Sequence, residues 1–231
     1  MNIADIVILI ALALGAVAGF KAGVIKKTAD FLGTFIIVIL AFYLKNDLSV
    51  LMYENLPFLN FGWLIKGVEA LNVLIYEILA FVVVFIALLF ILKVILMATG
   101  LIEKLLKATV ILSIPSKLLG IVVGVIEAYV YVFLVLVVFT LPVFKLPYIR
   151  ESNIGNFMLN NTPILSGISE EMIDIYGNVY EIVSEKDNKT NDEMNEDILT
   201  LLINKKVLTK ESAKKLVEQN KIHISDTSIL E

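Results

Sequence analysis

The chain has 231 residues with no cysteine and one histidine, and 58% of its side chains are hydrophobic, giving a mean hydropathy of +0.88. A soluble domain carries only roughly 45–50% apolar residues. The missing cysteines exclude disulfides, thiolate metal sites and cysteine nucleophiles, and a net charge of −4 leaves no basic footprint for nucleic acid.

The apolar excess lies in residues 1–144, which hold 9 basic and 8 acidic side chains, whereas residues 145–231 hold 10 basic and 15 acidic ones. Crossing a bilayer takes roughly 20 apolar residues at about 1.5 Å each. Four segments qualify, at residues 3–20, 28–44, 71–100 and 118–141. The first has no basic residue ahead of its apolar run, so it reads as a retained span, not a cleaved signal. On it Gly15, Gly19 and Gly23 stand four apart. Lipid tails are as apolar as leucine, so membrane helices associate by close backbone contact, which small residues on one face allow.

The second span carries Gly33 and starts beside Lys26 and Asp30, whose i,i+4 spacing suits an ion pair. Residues 45–72 then read as a semi-apolar connection broken by Pro57 and Gly62, with Trp63 and Tyr53 suited to headgroup level. That connection is either a surface-lying helix or a re-entrant one. The third span is longer than a crossing needs, leaving at about Leu92 with Lys93 at its end. Beyond it Leu101, Ile102, Leu105 and Leu106 form one stripe with Glu103, Lys104 and Lys107 elsewhere, the pattern of an amphipathic interfacial helix. The fourth span repeats the small-residue device at Gly120, Gly124 and Ala128 and is stopped by Pro142.

Both small-residue ladders suit helix contact, within the bundle or between subunits of a homo-oligomer, and the two are expected to face each other. The alternative is a lining that leaves room for a permeant or a lipid. Ionisable residues in or near spans are costly there, and the list is Asp5, Asp30, Glu77, Lys93 and Glu127. Asp5 and Lys93 lie near span ends, where side chains reach the interface. Glu127 is deepest, so its carboxyl is expected to be protonated or paired with a cation or hydroxyl inside the bundle. It reads either as a proton- or ion-sensitive element or as a carboxyl that bonds across helices.

Basic residues in short connections set orientation. Lys21, Lys26 and Lys27 mark the first connection, and Lys104, Lys107 and Lys117 the third, as cytoplasmic. Four spans then put both termini outside the cytoplasm.

After Pro142, Ile154, Phe157 and Met158 recur at helical spacing, and Ile168, Met172, Ile175, Tyr176 and Val179 continue an amphipathic stripe. Residues 185–195 read as a polar linker. Ile198, Leu201 and Leu202 then share one face, and Thr209 caps a helix over 210–219 with Ala213, Leu216 and Val217 together. So few apolar anchors rarely hold a core alone, which points to a helical hairpin that docks on the membrane domain, another subunit or an envelope protein. The reading is an all-α polytopic membrane protein of three parts: a four-span domain (1–144), a membrane-associated amphipathic segment (145–185), and a linker with a small helical hairpin (186–231).

Asp5, the run into Gly15-x-x-x-Gly19-Phe20-Lys21-Ala22-Gly23, then Lys26-Lys27 and Phe31-Leu32-Gly33, resemble the start of the colicin V production protein (CvpA) family. Ser116-Lys117-Leu118-Leu119-Gly120-Ile-Val-Val-Gly124 resembles the entry to that family's last span. The resemblance covers residues 1–165, and Ala22 stands where members often carry a second basic residue. Residues 186–231 lie outside the family pattern. The resemblance implies a small multi-pass protein of the bacterial inner membrane, linked to colicin V production and export and to envelope maintenance. It implies an accessory or structural role with the bilayer and an envelope or export protein as partners. The competing reading is an oligomeric channel or transporter with Glu127 as its sensitive residue. With no cysteine and one remote histidine, no catalytic residue, metal site or cofactor is expected.

Overall fold

Asn2 starts the first helix. Its side chain accepts the Asp5 N–H at 3.0 Å, and the Asp5 carboxylate accepts the Asn2 N–H at 2.9 Å, which closes a capping box. Helix α1 (Ile3–Ala22) follows and ends at Gly23, whose φ of 74° only glycine adopts without strain. The chain turns there and begins α2 (Val24–Asn55) at once, with the Val24 N–H donated to the Ser116 hydroxyl at 3.3 Å. Then come α3 (Leu71–Ala98), α4 (Ile114–Phe139), α5 (Asn153–Asn161), α6 (Leu165–Ser184), α7 (Asn191–Asn204) and α8 (Lys210–Glu218), with a short 3₁₀ turn at Thr227–Leu230. The computed structural model describes residues 2–59, 67–98, 114–139, 151–162, 165–184 and 189–230, without the side chains of residues 96 and 165–173. No strand occurs among the described residues. Trp63, Lys104, Lys107, the stripe at 101–107 and Pro142 lie outside them.

Four helices are long and apolar enough to cross a membrane: α1, α2, Leu71–Ile95 of α3, and α4. Their exposure is inverted relative to a soluble protein. On α1 the buried residues are Asp5, Ile8 and Gly19, whereas Ile3, Ile6, Val7, Ile10, Leu14 and Val17 face outward. Lipid solvates those apolar chains, so the small and polar residues are left to make the interior.

The chain forms two units. The first comprises Met1–Tyr43, Val83–Phe139 and Leu146–Ser166. In it α1 and α4 run antiparallel in close contact. The buried face of α4 is Ser116, Gly120, Gly124, Glu127, Val130, Phe133 and Leu136, a spacing of three and four that one helix face provides. Helix α5 is capped by Ser152, whose hydroxyl accepts the Gly155 N–H at 2.8 Å. Met158 and Leu159 are its buried anchors.

The second unit comprises Leu44–Val82, Thr140–Lys145 and Gly167–Glu231. It holds the last turns of α2, so the expected connection beginning at Lys45 is corrected: helix continues through Asn55. Lys45, Ser49 and Tyr53 fall four apart on one buried face, so the helix has a side to bury up to its last turn. The first turns of α3 are enclosed almost all round by this unit. Helices α6, α7 and α8 complete it, with Ile175, Tyr176, Val179, Met194, Ile198, Leu199, Leu202, Ala213 and Leu216 buried. The polar linker is also shorter than expected. Thr190 and Glu193 form a capping box that starts α7 at Asn191. Thr209 caps α8 through the Ser212 N–H at 3.0 Å. Both helices end with a residue of positive φ, Lys206 after α7 and Asn220 after α8. The Val207 N–H returns to the Leu202 carbonyl and the Lys221 N–H to the Leu216 carbonyl, each at 2.9 Å, the bond of a Schellman motif.

Candidate functional site

Within the first unit the two glycine ladders lie against each other. A Cβ on Gly15 would meet the Ala128 side chain and come within 2.6 Å of the Gly124 carbonyl oxygen. One on Gly19 would meet the Gly120 carbonyl, and one on Gly124 would lie 2.8 Å from the Gly19 Cα. Gly23 closes the series, its Cα 3.0 Å from where a Gly120 Cβ would sit. The backbones of α1 and α4 therefore touch, and each small-residue face is filled by the other. Gly33 differs, since only the mobile end of Leu92 comes near it, at 3.0 Å.

Glu127 faces this contact from the fourteenth position of α4, and it is buried. Its partner is Lys27, the fourth residue of α2, and the two side chains are 13% and 8% exposed. A carboxylate placed that deep needs a counter-charge or a proton, and Lys27 supplies the charge. This corrects the expected Lys26–Asp30 pair: those two form no ion pair among the described residues. A half-buried i,i+4 pair on one helix gains little, whereas an unpaired buried carboxylate is expensive. Of the other basic residues expected to set topology, Lys21 is exposed and Lys26 half-buried, and the Lys117 ammonium lies 5.7 Å over the Phe20 ring. Nearby, the Thr34 and Tyr131 hydroxyls are 3.1 Å apart, and those of Tyr129 and Thr162 are 2.9 Å apart.

Asp5 is also placed differently from the expectation. Its side chain does not reach for an interface but is 1% exposed. One carboxylate oxygen accepts the Ser152 hydroxyl at 2.6 Å and the Ile154 N–H at 3.1 Å. Asp5 thus caps its own helix with one oxygen and the start of α5 with the other. An acidic group at a helix N-terminus is favoured by the helix dipole, and here one carboxylate serves two such ends. Ser152 follows α4 in the chain, so the start of α1 and the segment beyond α4 lie together.

The second unit contains a second buried pair, which the residue-by-residue reading missed. Lys45 contacts the Glu77 carboxylate, with side chains 10% and 7% exposed. Lys45 also donates to the Asn46 side chain at 3.0 Å, and the Ser49 hydroxyl reaches Glu77. The i, i+4, i+8 spacing of Lys45, Ser49 and Tyr53 was the available signal, because it is a helical polar face rather than a loop. Tyr176 on α6 is fully buried, and burial, then the Glu77 charge, pushes its hydroxyl above the usual phenol range. Glu54 binds the Ser212 hydroxyl at 2.9 Å and the Lys215 ammonium at 2.6 Å.

The family model for the colicin V production protein matches residues 4–163. A transmembrane protein of Bacillus subtilis strain 168, described as the uncharacterized YshB, is 32% identical over 188 residues, covering 75% of this chain and 98% of that protein. No solved structure matches. The two glycine ladders, Asp5, Lys27 and Glu127 all fall inside the matched stretch, and with four helices able to span a membrane the chain belongs to the colicin V production protein family.

Proposed function

We propose that this protein is an accessory, structural component of the bacterial cytoplasmic membrane that supports the production or export of a peptide toxin and the upkeep of the envelope, and that it is not a catalyst. The observation that carries this reading is how its buried charges are used. Glu127 is matched by Lys27, Glu77 by Lys45, and Asp5 by the cap of α5. Each ties one helix to another, as a scaffold requires, and none of these three carboxylates is left facing a path. Both termini lie outside the cytoplasm in this proposal. The even span count is supported by the antiparallel α1–α4 contact and by the Asp5–Ser152 bond.

The test is complementation. A strain lacking the protein receives either the wild type or a Lys27→Met/Glu127→Gln variant, and secretion of a co-expressed bacteriocin is measured. The scaffold reading expects both to restore secretion, because the double variant leaves no buried charge unpaired. It fails if the variant reaches the membrane at normal level without restoring secretion, or if secretion never depends on the wild type. Reporters placed after Ser113 and after Glu231 are expected to be cytoplasmic and extracytoplasmic respectively. The opposite pattern contradicts the orientation.

A further inference from the structure

Helix α2 ends at Asn55 without a glycine cap, so its last carbonyls need partners. They find one in Lys221, well beyond the stretch matched by the family model. Its ammonium donates to the carbonyls of Tyr53 at 3.0 Å, Glu54 at 2.6 Å and Leu56 at 3.0 Å. A cation at a helix C-terminus is favoured by the dipole as well as by these bonds. Helix α3 has the complementary need at its start. The N–H groups of Leu71, Asn72 and Val73 turn back to the carbonyls of Val68, Glu69 and Ala70. The Ala70 N–H is donated instead to the Asn195 side-chain oxygen at 3.1 Å. The Asn195 amide nitrogen donates to the Glu69 carboxylate at 2.6 Å, the His223 carbonyl at 2.9 Å and the Gly67 carbonyl at 3.4 Å. Asn195 itself is completely buried.

We propose that the C-terminal extension, residues 189–230, is a built-in clamp on the connection between α2 and α3, with Lys221 closing the end of α2 and Asn195 closing the start of α3. The contact is directional and polar. An apolar patch would grip any neighbour, whereas Asn195 satisfies two backbone groups, the Ala70 N–H and the Gly67 carbonyl, and the Glu69 carboxylate, all set just ahead of α3, while its bond to the His223 carbonyl stays within the extension. Glu54 adds a charged tie through Ser212 and Lys215. From within, the connection is held by Asn72, which accepts the Leu59 N–H at 2.7 Å, and by the Tyr76 hydroxyl, which donates to the Pro57 carbonyl at 2.5 Å. The extension supplies the hold from the other side. Its release frees the ends of two membrane helices together, while α1 and α4 keep their own contact.

Amide hydrogen exchange on the full chain in lipid nanodiscs tests this. Asn195→Ala should raise exchange at residues 70–73, and Lys221→Met at residues 53–56, each by about tenfold or more. Exchange in α1 and α4 should not change, and Lys205→Ala, which removes an exposed ion pair with Asp174, should affect neither segment. Unchanged exchange at 70–73 and 53–56 in the two variants overturns the clamp. So does a general loss of protection that includes α1 and α4, since the extension would then be part of one cooperative fold.

Discussion

Lys27 and Glu127 are ion partners inside the first unit, joining the fourth residue of α2 to the fourteenth of α4. Removing one partner of such a pair strands a charge, whereas removing both does not. Lys27→Met and Glu127→Gln should therefore behave differently from their combination. We expect Lys27→Met to destabilise the protein by about 3–5 kcal/mol and the double variant by much less. The measurement is a double-mutant cycle of unfolding in mixed micelles, and additive effects would contradict the pairing.

Asp5 and Ser152 make a second tie, across 147 residues of sequence. Asp5→Asn keeps an acceptor oxygen but loses the charge that faces two helix N-termini. It should loosen α5 more than α1, because α1 keeps Asn2 as its cap. Limited proteolysis near residue 152 is expected to speed up in Asp5→Asn and in Asp5→Ala, more so in the latter. Equal cleavage in all three proteins would contradict the assignment.

Lys206 has a φ of 57° at the end of α7, a conformation that glycine adopts without steric cost. Lys206→Gly should stabilise the extension by up to about 1 kcal/mol, because relief of the roughly 1–2 kcal/mol left-handed penalty is partly offset by the greater freedom of glycine in the unfolded chain. Exchange of the α7 amides should slow accordingly, and faster exchange would show that the lysine side chain matters more than its backbone.

Acid should weaken the extension. The Thr190 N–H and hydroxyl hold the Glu193 carboxyl below its usual range, and the Lys205 ammonium does the same for Asp174. A carboxylate whose folded pKa is depressed contributes stability that is present above its unfolded pKa, about 4, and is lost as pH falls through the folded value. Protection at the start of α7 should therefore be constant from pH 7 to about 5 and decline below about 4. In Glu193→Gln that decline should largely vanish. A start of α7 equally protected at pH 7 and pH 3 in the wild type would contradict this.

How much of this was legible in the sequence depended on the range over which each residue acts. The glycines of α1 and α4 were legible because a missing side chain at every fourth position is a local fact with one physical use in lipid. The Thr209 cap was legible for the same reason. The partner of Glu127 was not, because Lys26 and Lys27 are adjacent and only the start of α2 at Val24 decides which faces the interior. Lys45 was not legible as a partner of Glu77, because residues 45–72 read as a connection and the pair is 32 residues apart in the chain. Asn195 shares a helix face with Ile198 and Leu202, a polar residue in an apolar stripe, yet its partners at Gly67, Glu69 and Ala70 lie more than a hundred residues away.

The central claim is that α1 and α4 are held by backbone contact through their glycines, and Gly19 tests it most directly. Gly19→Ala is compared with Gly33→Ala by SDS-driven unfolding of the full chain in bicelles. A Cβ at Gly19 runs into the Gly120 backbone, whereas one at Gly33 meets only the end of Leu92. The account predicts a loss of about 1–3 kcal/mol for Gly19→Ala, a larger loss for Gly19→Leu, and little change for Gly33→Ala. A Gly19→Leu protein as stable as the wild type would contradict it.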